Sequence, residues 1–157
     1  MNRLFSLLLL FLPIFSWGQM NTCHTFQAPW LAGTYGLSTG LMPGDLAFEL
    51  GLIPVTLAPI HYLDGSEGFM DLVVTDDIFG DTPPLMGRSV FMGNISMVAD
   101  LSVLTETVTE VCFDFLDGGG VENFAVNGQD VAVISNLGEL PEEVAPGVFL
   151  TIDYLGD

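Results

Sequence analysis

Apolar side chains in this chain recur at every second position, in short runs that Gly, Pro, Asn or Asp interrupts about every eight to twelve residues. Successive side chains of a strand point to opposite faces, so a period of two describes strands half-buried against a core. From Asp45 onward, Leu46, Phe48 and Leu50 share one face, and Ile53, Val55 and Leu57 carry the pattern on. Pro54 and Pro59 withhold ladder donors, which predicts an edge strand there. Phe69 to Thr75 is a third run, and Arg88 to Leu101 a longer one with Phe91, Ile95 and Met97 as its core residues. Thr107 to Leu116 sets Thr107, Thr109, Val111, Phe113 and Phe115 on one face and Glu106, Glu110, Cys112 and Asp114 on the other. Val121 to Val126 and Asp130 to Ile134 flank Asn127-Gly128, a strong hairpin signal. Val148 to Tyr154 is the last run. No window of about eleven residues keeps the 3.6-residue helical period with good helix formers; Leu137 to Val144 admits one short turn, ended by Pro141. The class is therefore all-β, and the spacing of turns fits a sandwich or a barrel.

The first residues lie outside this pattern. Arg3 is followed by an almost wholly apolar run from Leu4 to Phe15, and Ser16-Trp17-Gly18 sets small residues where a signal peptidase reads. At about 12 residues the run falls short of the roughly 20 that a membrane helix needs. The expected organisation is a signal peptide over 1–18, a lead-in over 19–32 and one β domain over 33–157. Cleavage after Gln19 is the close alternative. The final apolar run, with only Gly156 and Asp157 after it, reads either as a terminal strand or as part of a longer protein.

Charge narrows the functions. The chain holds 20 Asp and Glu against two basic residues, a net charge of −18, and no lysine at all. Loss of Arg3 with the leader leaves Arg88 as the one cation. Such a surface repels nucleic acid and anionic membranes, and lysine Schiff-base chemistry is excluded. A dense acidic surface keeps an exported protein soluble; it also supplies the hard oxygen donors that calcium prefers. The calcium candidates are Asp76, Asp77 and Asp81 in one acidic loop, and Asp114, Asp117 and Asn123 around the triple glycine 118–120. Neither loop has the spacing of an EF-hand. Glycines there are expected to supply positive φ and a sharp crossing between two strands.

Other chemistries find little footing. His24 and His61 are far apart, and Cys23-His24 is not a zinc spacing. His61 is the only base available to a serine triad in the body of the domain, and no serine sits in a nucleophile-elbow pattern. The chain reads as non-catalytic. Cys23 and Cys112 are expected to pair in the oxidising compartment that a signal peptide implies. Trp30, Tyr35 and Tyr62 are the candidates for a flat aromatic strip that would stack on sugar rings, with Tyr154 beyond them. Asn94-Ile-Ser96 is a glycosylation sequon, read here as lying mid-strand.

The segment from Thr109 to Tyr154 resembles a recurrent secreted β-sandwich domain of Gram-negative bacteria. In that domain a phenylalanine-rich strand enters a glycine turn, an Asn-rich strand ends in Asn-Gly, and a Gly-Val strand follows. The matching pieces are VCFDF over 111–115, GGG over 118–120, ENFAVNG over 122–128 and Gly147-Val148. The stretch from Pro43-Gly-Asp45 to Leu57 is similar to the family's opening strands, so the likeness covers most of 33–154. Such domains look like the jelly-roll scaffolds of carbohydrate-binding modules in surface or secreted proteins. The resemblance implies an antiparallel jelly-roll-like sandwich, exported or held at the cell surface. The function expected is a binding or adhesion module, with a glycan or another envelope protein as partner, stabilised by calcium. A structural or assembly domain of a larger envelope protein is the alternative.

Overall fold

The computed structural model describes residues 29–76, 88–105, 107–112, 119–129 and 132–152. Among them are twelve strands: β1 Gly33–Gly36, β2 Leu46–Leu50, β3 Ile53–Ala58, β4 Ile60–His61, β5 Glu67–Gly68, β6 Asp71–Asp76, β7 Arg88–Gly93, β8 Ser96–Ala99, β9 Glu122–Phe124, β10 Ala132–Ile134, β11 Glu143–Ala145 and β12 Val148–Phe149. The helical elements described are four single 3₁₀ turns, at Pro29–Leu31, Leu37–Thr39, Leu101–Val103 and Leu137–Glu139. Every strand pairing among the described residues is antiparallel. The protein is all-β, as its alternation requires.

Two three-stranded sheets, ordered β1-β6-β7 and β2-β3-β8, share one core. Strand β3 shows why. Ile53, Val55 and Leu57 are buried while Pro54, Thr56 and Ala58 between them are half-buried. Strand β6 repeats the device with Leu72 and Val74. Val55, Leu57, Leu72 and Val74 meet with Phe48, Ile95 and Leu31 in a single cluster. Each fully buried side chain of this kind contributes about 1.5–3 kcal/mol. Tyr35 closes one side, its ring edge-on to Phe48 at 5.3 Å. Its hydroxyl donates to the Leu31 carbonyl at 2.9 Å, and burial pushes the phenol pKa up.

Several expectations are corrected here. Strand β3 is the centre of its sheet, not an edge. Its prolines are tolerated because they lie outside the doubly paired stretch. The β8 ladder runs from Val55 to Ala58, Pro54 is in register only with Glu49 of β2, and Pro59 follows the strand. The run from Arg88 to Leu101 is two strands in two different sheets. The chain turns at Asn94, which takes a positive φ of 52°, and buries Ile95 at the corner. Asn94 is therefore exposed at a corner rather than held mid-strand. Ile95 is a core residue as expected, but Phe91 and Met97 are partly exposed, on β7 and β8, which are outer strands. Residues 107–112 of the cleanest alternating run lie outside any strand and are exposed; alternation marks strand-competent sequence, but a strand also needs a ladder partner. The last strand described, β12, is two residues long.

The region after residue 118 is built from two-stranded ribbons, β9-β10 and β11-β12. Asn127 and Gly128 sit at φ 53° and 68°, as a type I′ turn demands, and Gln129 N–H donates to Val126 C=O at 3.0 Å across that turn. Gly119 and Gly120 take φ of 81° and 122°, the positive values for which the glycine run was read. Leu137–Glu139 forms the one short turn expected there.

Candidate functional site

The densest polar arrangement joins the β4-β5 hairpin to β9 and to the β7–β8 corner. Ile60 and His61 pair with Gly68 and Glu67. Between them Asp64 accepts from Ser66 N–H at 2.9 Å and from Ser66 Oγ at 2.6 Å. Those hydrogen bonds hold the Asp64 carboxyl below its ordinary value. His61 Nδ1 lies 3.2 Å from Glu67 Oε1. The His61 peptide is gripped on both sides by one amide. Asn123 Oδ1 accepts from His61 N–H at 2.6 Å, and Asn123 Nδ2 donates to His61 C=O at 2.9 Å. Tyr62 Oη donates to Asn94 Oδ1 at 2.9 Å, while Asn94 Nδ2 donates to Met70 Sδ at 3.3 Å. An imidazole oriented by a carboxylate is half of a triad. The serine of the same hairpin, Ser66, directs its hydroxyl at Asp64 instead.

The calcium candidates fall out as follows. Asp76 ends β6 opposite Arg88 of β7 and accepts from Arg88 Nε at 2.9 Å and Nη2 at 3.0 Å. This bidentate pair holds the Asp76 carboxyl below its ordinary value and raises Arg88. Asn123 spends its amide on His61. Asp77, Asp81, Asp114 and Asp117 lie outside the described residues. Among the described residues no group of three or more His, Cys, Asp or Glu side chains is placed to hold a metal ion. Of the expected disulfide, Cys112 is exposed and Cys23 lies outside the described residues, among which no disulfide is found. No described helix is long and apolar enough to cross a membrane.

The aromatic candidates do not form a strip. Tyr35 is in the core, Tyr62 is fixed to Asn94, and Trp30 stands out alone at 79% exposure. Among the exposed apolar side chains are four on the outer strands β7 and β8. Phe91 and Met92 of β7 are 46% and 48% exposed, and Met97 and Val98 of β8 are 37% and 52% exposed. The alternation had assigned Phe91 and Met97 to the core. The missed signal is Gly93-Asn94, a turn dipeptide inside an apparently continuous run.

No family model, curated protein or solved structure matches the chain.

Proposed function

We propose that this chain is an exported, non-catalytic binding module of a bacterial surface or secreted protein, and that its partner is another envelope protein. The observation that supports this most is exposed apolar surface on outer strands of both sheets, Phe91 and Met92 on β7 and Met97 and Val98 on β8. Edge strands with apolar side chains are surfaces that proteins use for partners and otherwise guard against. On this reading the module is a jelly-roll-like sandwich that sits at the cell surface or in the medium after loss of its leader. The expectation of a glycan partner keeps one support among the described residues, the exposed indole of Trp30, since Tyr35 and Tyr62 are engaged within the fold and Tyr154 lies outside the described residues.

A photo-crosslinking side chain in place of Val98, in protein produced by its own cells, tests the reading. Covalent protein adducts from Val98 are expected. A glycan-array signal abolished by Trp30→Ala, without protein adducts, would establish the sugar reading instead. Calcium stabilisation is tested separately by melting the protein with calcium and with chelator. A site holding calcium at 100-fold excess over its Kd adds about 2.7 kcal/mol, and an unchanged Tm removes calcium from the account.

A further inference from the structure

The β9-β10 ribbon turns on Asn127, the one asparagine of the chain that glycine follows. Asn127 and Gly128 are both exposed. Among the described residues, neither the Asn127 side chain nor the Gly128 N–H takes part in a hydrogen bond. The Gly128 nitrogen and Asn127 Cγ are the two ends of a five-membered ring, and backbone conformation decides whether they meet. A type I′ turn gives its first central residue a positive ψ, which holds the following nitrogen nearly anti to Cβ. Closure needs that nitrogen close to eclipsed with Cβ. A type II′ turn supplies this, because its first central residue keeps a positive φ but takes a strongly negative ψ. The two turns differ by a flip of one peptide, and both close β-hairpins. Here the φ of 68° at Gly128 identifies the resting turn as type I′. The flip carries Gly128 to negative φ, which glycine adopts as readily as positive. An added Cβ at Gly128 would meet no atom within 4 Å, so the peptide has room to turn.

From this geometry we propose that Asn127 is a site of spontaneous covalent modification, at which the turn peptide closes to a cyclic imide and water opens it to aspartate or isoaspartate. The Gly128 nitrogen attacks Asn127 Cγ. A bond forms between them, the Cγ–Nδ2 bond breaks, and the amide nitrogen leaves as ammonia with the Gly128 proton. Water then cleaves the imide at either carbonyl. Cleavage at Cγ gives aspartate; cleavage at the main-chain carbonyl gives isoaspartate, in which the chain runs through Cβ and Cγ. Nothing is oxidised or reduced, and the only co-reactant is water. Either product adds a negative charge to a chain already at net −18. Isoaspartate also adds one carbon to the main chain, inside a turn closed by the bond from Gln129 N–H to Val126 C=O. That bond and the pairing of Phe124 with Ala132 beyond it lose their fit. The change reaches further through β9, because Asn123 of that strand holds both polar groups of the His61 peptide. Conversion at the turn therefore loosens the tie between the ribbon and the β4-β5 hairpin.

The test incubates the full folded chain in neutral buffer and follows each asparagine by peptide mass spectrometry, with isoaspartate scored by an isoaspartyl methyltransferase. Asn127 is expected to lose its amide ahead of Asn94, Asn123 and Asn136, which precede Ile95, Phe124 and Leu137, side chains that crowd the attacking nitrogen. Isoaspartate should appear at 127 and at no other position. Gly128→Ala should slow the conversion, since a Cβ both crowds the nitrogen and resists the flip. Because that variant also strains the resting turn, the ranking of asparagines within the unaltered chain stands as an independent readout. Earlier conversion of another asparagine, an undiminished rate in Gly128→Ala, or conversion only after the chain is unfolded in urea would each overturn the inference. In the converted chain the β9 and β10 amides and the His61 N–H should exchange faster while β3 and β6 stay protected. Unchanged exchange across β9 would overturn the loosening of the tie.

Discussion

The sandwich described over 29–76 and 88–105 and the ribbons described over 119–129 and 132–152 draw on the same alphabet of short β runs, yet they achieve burial to different degrees. All seven residues of the shared core cluster lie between Leu31 and Ile95, whereas the ribbons bury only Ile134 and Ala145 among their described hydrophobics. The difference follows from strand length and pairing. Strands β3 and β6 each span six residues and are paired on both sides, so two or three side chains per strand reach the core. The ribbon strands have two or three residues and one partner each. Two-stranded ribbons are marginal by themselves, and the Asn123 amide gripping the His61 peptide is a polar tie that holds β9 to the β4-β5 hairpin.

Truncation of matched side chains tests this contrast most severely. Leu72→Ala, at a position with 0% exposure, should cost about 3–4 kcal/mol in denaturant unfolding. Ile134→Ala should cost about 2 kcal/mol, because its surroundings can collapse more freely. Equal costs would mean that the ribbons possess a core as tight as the sandwich. Asn123→Leu comes next. It strands the N–H and C=O of His61 and should cost about 2 kcal/mol, read as faster amide exchange across β9 and β10 with the β3 and β6 amides still protected. Uniform loss of protection would show that the two regions unfold as one.

Gly119→Ala should cost about 1 kcal/mol through backbone conformation alone. Gly119 sits at φ 81°, and an added Cβ would meet no atom within 4 Å. Loss of a partner contact without loss of stability would reassign that glycine from fold to binding. The smallest effect is electrostatic. Asp64, Asp76 and Asp100 have folded-state pKa values below the ordinary 3.8, through hydrogen bonds from Ser66, Arg88 and Ser102 respectively. A depressed carboxylate pKa stabilises the fold above the unfolded value, and that contribution is lost as pH falls from 3.8 through the folded values. All three lie in the sandwich region, so NMR titration should show acid-induced loosening at these turns. Onset above pH 3.8 would assign it to other groups.

Much of the local structure could be read from residue order, and particular residues show where such reading stops. Asn127-Gly128 specified its turn because few dipeptides accept two successive positive φ values. Ile53, Val55 and Leu57 announced their face by alternation. Phe91 and Met97 carry the same alternating signal and still stand partly in solvent, because periodicity gives the face of a strand but not its place in a sheet. Pro54 misled for the converse reason: a proline bars a donor at one position, and the neighbouring strand simply begins its ladder one residue later. Of the candidate calcium ligands within the described residues, Asp76 turned out to answer Arg88 across a hairpin, and Asn123 to answer a peptide 62 positions away. Pairings of that kind have no local signature.

Local chemistry thus settled the class of the protein, its turns, its acidity and the reactions that its residue types rule out, since each depends on backbone sterics or on composition. Which strands lie at the centre and which polar groups consume one another came from the packing of distant segments. Those outcomes are fixed by contacts between residues far apart in the chain, where a change of one strand's neighbour turns a buried methionine into an exposed one without altering a single letter.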